Sequence, residues 1–274
     1  VKQICFVDGT VARGGEGCIP ADDLGFQRSY AVFDYARTHN GKLFHIEDHL
    51  ARFRRSAAGL WLDLGYTDDD IIATANDLIA ELRIEEAGLR LILTGGPAHV
   101  ENLLAKPRLV MIAEELPSYP EEIYDRGASL VTYEFRRDFP QVKTTNYMNA
   151  FRLEPFKREK RAFDILYVWD WRVLECPRDN FFILKDRTLI TARDDVLHGI
   201  TRKVVMDLAA EHFAIEEREV SLDEIDTADG AFMTSTTKSI VPVVEIDERK
   251  IGDGTMCAGV CEIMGLFEKY VDGY

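Results

Sequence analysis

Apolar residues recur along the chain with two periods, and the change from one to the other marks out the elements. Between Ile46 and Leu60, the positions Leu50, Phe53, Ala57 and Leu60 fall three or four residues apart, which predicts an amphipathic helix carrying Arg52. Thr67-Asp68-Asp69-Asp70 puts a capping residue and acids where a helix N-terminus favours them, ahead of a second helix from Asp70 to Leu82. Strands are expected at Leu89–Leu93 and Leu109–Ala113, with hairpins around Asp8-Gly9 and His39-Asn40-Gly41. In the strand Arg90-Leu91-Ile92-Leu93, a period of two places Arg90 on the face of Ile92.

The periodicity lapses from Glu114 to Pro120, where Pro117 and Pro120 mark a linker. We expect a small N-terminal domain over 1–116, an interdomain linker over 117–125 and a larger domain over 126–274. The second domain is expected to hold a strand from Ser129 to Phe135, a helix near Asn149 to Arg161 and a strand from Ile165 to Trp169. Phe181–Leu184 and Thr188–Thr191 should flank a turn at Lys185-Asp186-Arg187. Gly199-Ile200-Thr201 opens a helix to about His212, with Val204, Val205, Leu208 and Ala209 as its buried stripe. The pattern as a whole is α+β.

Composition narrows the possibilities. At 274 residues and 46% hydrophobic, the chain can bury two cores. A net charge of −15 argues against nucleic acid as a general partner, because phosphate backbones need clustered Lys and Arg. No apolar run approaches the roughly twenty residues of a bilayer span, so a soluble, cytoplasmic protein is expected. Five scattered cysteines fit reduced thiols, and the spacing of Cys257 and Cys261 lacks the matching pair of a metal site. No metal is expected, and neither G-x-G-x-x-G in a strand-to-helix turn nor G-x-x-x-x-G-K-[ST] occurs.

Candidate chemistry concentrates between Val142 and Phe182. Lys143 opens a polar turn before a helix-like segment, and Glu175 interrupts the apolar run around VLECP. An amine and a buried carboxylate are what pyridoxal 5'-phosphate requires: one to form an imine with its aldehyde, the other to keep its ring nitrogen protonated. Taken singly, a lysine is more often solvated and a strand glutamate more often lies at a sheet edge. At LHGITR, the amides of Ile200 and Thr201 sit at a helix N-terminus, where unpaired N–H groups favour an anion. An ordinary cap, with Thr201 serving its own helix, accounts for them as well.

Four blocks, KTTNY from Lys143, VLECPRDNFFI from Val173, LHGITR from Leu197 and MTSTTKSIVPVVEID from Met233, resemble in order and spacing the fold-type IV pyridoxal-phosphate transaminases. Similarity extends through LGFQRSYAVFDYARTHNGKLFHIEDHLARFRRSA, so it covers nearly the whole chain. The resemblance implies a small N-terminal α/β sandwich and a larger, β-barrel-like C-terminal domain with helices. It also implies a homodimer in which the partner's N-terminal domain completes each pocket. Lys143 is then the catalytic lysine. Arg52 of the H-L-x-R motif, Ile200, Thr201 and Thr236 hold the phosphate, Glu175 faces the ring nitrogen and Tyr147 the ring hydroxyl. Asn180 and Thr237, inside the same blocks, are taken as further cofactor contacts.

For the substrate, the familiar D-amino-acid enzymes follow the Arg90 strand with a loop holding an arginine and a histidine. Here GGPAHVEN keeps His99 and lacks the arginine. Arg28 and Arg90 are therefore candidates for substrate carboxylates, with Arg178 and Lys238 as a second anionic locus and Phe33 lining the pocket. The alternative, that Arg28 and Arg90 are exposed or paired with structural carboxylates, carries equal weight. This pattern favours a D-amino-acid transaminase of the D-alanine or D-glutamate type acting with 2-oxo acids such as 2-oxoglutarate. Next in order come a branched-chain L-amino-acid transaminase and an aminodeoxychorismate lyase. A non-catalytic binding module on the same fold would not need Lys143.

Overall fold

A computed structural model of the chain describes residues 2–13, 16–97 and 106–274, so His99 lies outside the described residues. The chain divides into two units. Unit 1 comprises Val1–Pro117, Val142–Asn146 and Tyr274; unit 2 comprises Ser118–Gln141 and Tyr147–Gly273.

In unit 1 the alternating segments form strands β1 (Gln3–Val7), β2 (Thr10–Arg13), β3 (Ala31–His39), β4 (Lys42–Leu43), β5 (Ala87–Thr94) and β6 (Arg108–Glu115). They make one antiparallel sheet in the order β2-β1-β6-β5-β3-β4. Among the described residues, three helices accompany it: α1 (Leu24–Arg28), α2 (Ile46–Gly59) and α3 (Asp68–Leu82). Thr67 and Asp70 form a capping box that fixes the start of α3. Helix α2 packs on β3, and α3 on β6 and β1. Their apolar stripes, Leu50 and Phe53 from one and Ile71, Ala75 and Leu78 from the other, meet Leu89, Leu91, Leu93 and Met111 in a single core. Arg90, paired with Tyr35 in register, falls on the opposite face with Ile92, as the period of two predicts.

Val142–Asn146, expected in the second domain, clusters with unit 1 because it supplies backbone partners to β3. Phe33 donates its N–H to the Lys143 carbonyl at 2.9 Å, Thr145 donates to Ala31 at 3.1 Å, and Val32 bridges Thr144. These bonds cover strand groups that would otherwise lack partners.

Unit 2 begins with α4 (Glu122–Asp125), within the stretch expected as linker, and β7 (Ala128–Glu134). The helix expected near 149–161 is two short ones, α5 (Met148–Arg152) and α6 (Glu154–Glu159), because Pro155 lacks the N–H needed to continue the first and suits the opening of the second. There follow β8 (Asp164–Trp169), β9 (Arg172–Val173), β10 (Asn180–Lys185), β11 (Thr188–Ala192), α7 (Ile200–Ala209), β12 (Ala214–Arg218), β13 (Val220–Ser221), β14 (Gly230–Ser235), β15 (Ser239–Ile246), β16 (Arg249–Lys250) and α8 (Ala258–Asp272).

The sheet of unit 2 runs β12-β11-β10-β14-β15-β7-β8-β9-β13, a barrel-like path of mixed direction, with β16 alongside β15. Alternate residues serve opposite faces. Phe181 and Ile183 join Met233 and Val241 in one core, while Phe182 stacks on Phe232 at 4.8 Å. Helices α7 and α8 pack on each other and on β14. The chain thus holds a mixed-direction barrel-like sheet in unit 2 and a separate antiparallel one in unit 1, the architecture expected from the resemblance. No helix among the described residues is long and apolar enough to cross a membrane.

Candidate active site

In unit 1, helix α2 carries a column of buried polar residues, His49, Arg52 and Ser56, along the edge of its apolar stripe. Each has a partner from β3 or from the segment beside it. Arg52 donates through Nε to Asp34 Oδ2 and through Nη2 to Asp34 Oδ1, both at 2.8 Å. His49 Nδ1 lies 2.7 Å from the same Oδ1. Burial alone would raise the Asp34 pKa, but Arg52 and then His49 reverse it and hold the carboxyl well below the usual carboxylate range. His49 is pushed down by burial, with Asp34 opposing and Arg52 and Lys143 adding to the effect. The forked edge of Arg52 thus rests on Asp34, which fixes the guanidinium plane.

Ser56, one turn further, accepts the backbone N–H of Lys143 at 3.1 Å. Helix α2 therefore positions both the arginine of H-L-x-R and the lysine of KTTNY. The half-buried Lys143 side chain places Nζ 4.6 Å from the centroid of Phe33, an attraction between ammonium and ring face.

Unit 2 assembles its candidates around the turn between β9 and β10. Glu175 is buried, and Arg137, Leu197 and Asn180 direct donors at its carboxylate. Arg137 donates through Nε at 2.9 Å and through Nη2 to Oε1; Leu197 donates its N–H to Oε2 at 3.0 Å, and Asn180 Nδ2 lies at 3.4 Å. Asn180 also donates to the Leu197 carbonyl at 2.7 Å and accepts the Gly199 N–H at 3.1 Å.

Gly199 is the N-cap of α7 and makes no side-chain cap bond, and a Cβ there would stand 2.2 Å from Asn180 Oδ1. Any other residue would force the asparagine off the helix entrance. Ile200 and Thr201, both buried, open the helix whose first amides and dipole favour an anion. Thr236 and Thr237 lie half-buried on the turn between β14 and β15, and Thr237 Oγ1 is 3.1 Å from the Tyr119 hydroxyl.

The remaining candidates occupy contrasting environments. Arg28, on α1, is exposed and donates to the Gln27 carbonyl at 2.9 Å. Arg178, also exposed, stands 6.0 Å from the ring of Tyr147 and 5.7 Å from that of Phe151. Arg90 pairs with Glu114 at 2.7 Å and covers the Tyr35 ring at 4.8 Å. Lys238 is buried and bonds Asp179 at 2.5 Å. Sequence reasoning left out Asp34, His49, Arg137 and Asp179. For Asp34 in β3 and His49 in α2 the visible signal is polarity where the apolar period calls for burial, whereas Arg137 and Asp179 lie outside helices and strands and carry no such signal.

The donor set fits pyridoxal 5'-phosphate. An anion-favouring helix N-terminus, flush because position 199 is glycine, suits a phosphate ester, and a buried carboxylate suits a pyridine N–H. These features, on this fold, define a pyridoxal-phosphate enzyme of fold type IV. The family model for class IV amino-transferases matches residues 31–246, and the chain belongs to that family. It is a pyridoxal-phosphate-dependent aminotransferase, working on amino acids and 2-oxo acids.

Among curated relatives, the D-alanine aminotransferase of Bacillus licheniformis is 28% identical over 90% of this chain and 89% of its own. That of Staphylococcus haemolyticus is 26% identical over 97% of both. Among solved structures, the branched-chain amino acid aminotransferase of Escherichia coli superposes with a TM-score of 0.90 at 20% identity, over 98% of this chain and 94% of that one. The branched-chain enzyme of T.th., solved with pyridoxamine 5'-phosphate, gives 0.90 at 21%, over the same shares. At those identities the likeness shows the shared fold.

Proposed function

We propose that the protein is a D-amino-acid transaminase of the D-alanine or D-glutamate type, exchanging an amino group with a 2-oxo acid such as 2-oxoglutarate. The observation that carries this reading is the end-to-end match to relatives named D-alanine aminotransferases. When bound, the cofactor supplies an aldehyde that condenses with amines and a ring that accepts an electron pair.

The chain's own residues do the rest. Lys143 presents its amine to that aldehyde and then moves a proton at the substrate Cα. Glu175, fixed by Arg137, Leu197 and Asn180, receives the ring N–H. Arg52, Ile200, Thr201, Thr236 and Thr237 bind the phosphate, and Tyr147 serves the ring hydroxyl. Of the four charged substrate candidates, Arg28 and Arg178 are exposed, which supports giving them the substrate carboxylate with Phe33 on the pocket wall. Arg90 and Lys238 already have carboxylates of their own chain, which supports a structural part for each.

We place the protein in the cytoplasm as a homodimer. Its five free cysteines suit a reducing compartment, and Phe26, 75% exposed beside Arg28, suits an interface. A panel of D- and L-amino acids assayed with 2-oxoglutarate, with D- and L-glutamate assayed against pyruvate instead, tests the stereochemical reading. D-alanine and D-glutamate should lead by about a hundredfold or more in kcat/KM; a lead for L-leucine or L-valine would move the enzyme to the branched-chain class.

A further inference from the structure

Two adjacent residues of the 175–180 turn each reach a different segment of unit 2. Asn180 holds the entrance to α7 through Leu197 and Gly199. Asp179 holds the turn between β14 and β15, through the 2.5 Å bond from Lys238 Nζ to its Oδ2. The Cys176 N–H, donating to the Asp179 carbonyl at 2.8 Å, closes the first turn, and the Lys238 N–H, donating to Ser235 Oγ at 3.3 Å, closes the second. Asp179 is 3% exposed and Lys238 5%. The other carboxylate oxygen of Asp179 has no hydrogen-bond partner among the described residues, so Lys238 carries the compensation of a fully buried charge. A lysine that swung out to a substrate would leave that carboxylate bare, which is among the costlier events in a protein interior.

We propose that the Asp179–Lys238 ion pair is a positioning clamp that fixes the threonine turn against the Glu175 turn, and that Lys238 does not bind substrate. The inference rests on the reading that these two turns serve the phosphate and the ring nitrogen of one cofactor. A molecule gripped at two ends gains from the second grip only while the two sites keep a fixed separation. Lys238 belongs to both ends of that separation through Asp179. Its neighbours brace it further: the Tyr119 ring lies 5.5 Å from Nζ, and the Tyr119 hydroxyl meets Thr237.

The test titrates the full-length apoprotein with pyridoxal phosphate, with unphosphorylated pyridoxal and with inorganic phosphate, in wild type and Lys238→Met. A clamp predicts that Lys238→Met weakens pyridoxal phosphate about tenfold or more, while pyridoxal and phosphate each change less than about twofold. KM for amino and 2-oxo acids, measured at saturating cofactor, stays within about twofold. Equal losses for pyridoxal phosphate and pyridoxal, no loss, or a raised KM with unchanged cofactor affinity would each overturn the clamp. Should the single variant fail to fold, Asp164→Asn/Asp179→Leu/Lys238→Met removes the lysine together with both acids it faces, Asp179 and, at 4.0 Å, Asp164, and so leaves no bare carboxylate. It must then still show the lowered preference for pyridoxal phosphate over pyridoxal, and a wild-type preference refutes the proposal. Wild type controls for the underlying reading: if it binds pyridoxal phosphate no tighter than pyridoxal, the two-ended site fails and the clamp with it.

Discussion

Each unit buries a cluster of charge, and the two are balanced in opposite senses. In unit 1 a single carboxylate, Asp34, is shared by Arg52 and His49. In unit 2 a single ammonium, Lys238, is shared by Asp179 at 2.5 Å and Asp164 at 4.0 Å. The scarce partner is therefore the acid in one unit and the base in the other. Protonation shows the difference: Asp34 is held well below the carboxylate range, whereas Asp164 is raised, by burial first and then by Asp179. Burial works against charge on Lys238, but the two acids outweigh it and its pKa rises. What matters to stability in such a cluster is which member lacks a substitute.

The largest effect should come from removing the scarce acid. Asp34→Asn removes the charge of the carboxylate that Arg52 and His49 share and is expected to cost about 3–5 kcal/mol, read as a lower urea midpoint at unchanged slope. A loss under about 1 kcal/mol would mean that Arg52 is compensated elsewhere.

Acid should then separate the units. His39, lowered to about 4 by burial and by Arg37, and His49, also lowered, bind fewer protons in the folded chain than unfolded. Stability from these two groups is present above the unfolded value of 6.5 and is lost as pH falls from there toward the folded values. Asp164 has the opposite sign: its folded pKa is raised, so its contribution is present below the unfolded value of 3.8 and lost as pH rises through the folded one. On acidification from neutrality, hydrogen-exchange protection in unit 1 should fall before that in unit 2; the reverse order would break the comparison.

The smallest effect belongs to the surplus acid. Asp164→Asn keeps an oxygen for the Ile165 N–H, bonded at 2.8 Å in the wild type, and leaves Asp179 to Lys238. It should change unfolding free energy by no more than about 1 kcal/mol. A cost equal to that of Asp34→Asn would show that both acids are needed.

The same contrast explains what could be read from the sequence. Helix α2 and strand β5 were legible because Leu50, Phe53 and Ala57 keep one period while Leu89, Leu91 and Leu93 keep the other. The joint between α5 and α6 was missed because the apolar stripe runs past Pro155. Helix α8 was missing from the expectations even though Val260, Ile263 and Phe267 keep helical spacing. At the site, Lys143 and Glu175 stood out through the blocks around them.

Their supports did not, because an ion pair has no period. Arg137 is 38 residues from Glu175, Asp179 is 59 from Lys238 and Asp34 is 18 from Arg52. Periodicity gave the face of Arg90 correctly but could not name Glu114 as its partner. It tells which side of a strand a residue occupies; three-dimensional contact decides whether a charge there is available to a ligand.

The central claim is that Lys143, held by Ser56 and β3, is the amine that engages the cofactor aldehyde. Borohydride reduction of the loaded protein followed by peptide mapping tests it most directly. A pyridoxyl label on Lys143 is the predicted result; a label on another lysine, or no label on a protein that transaminates, would contradict it.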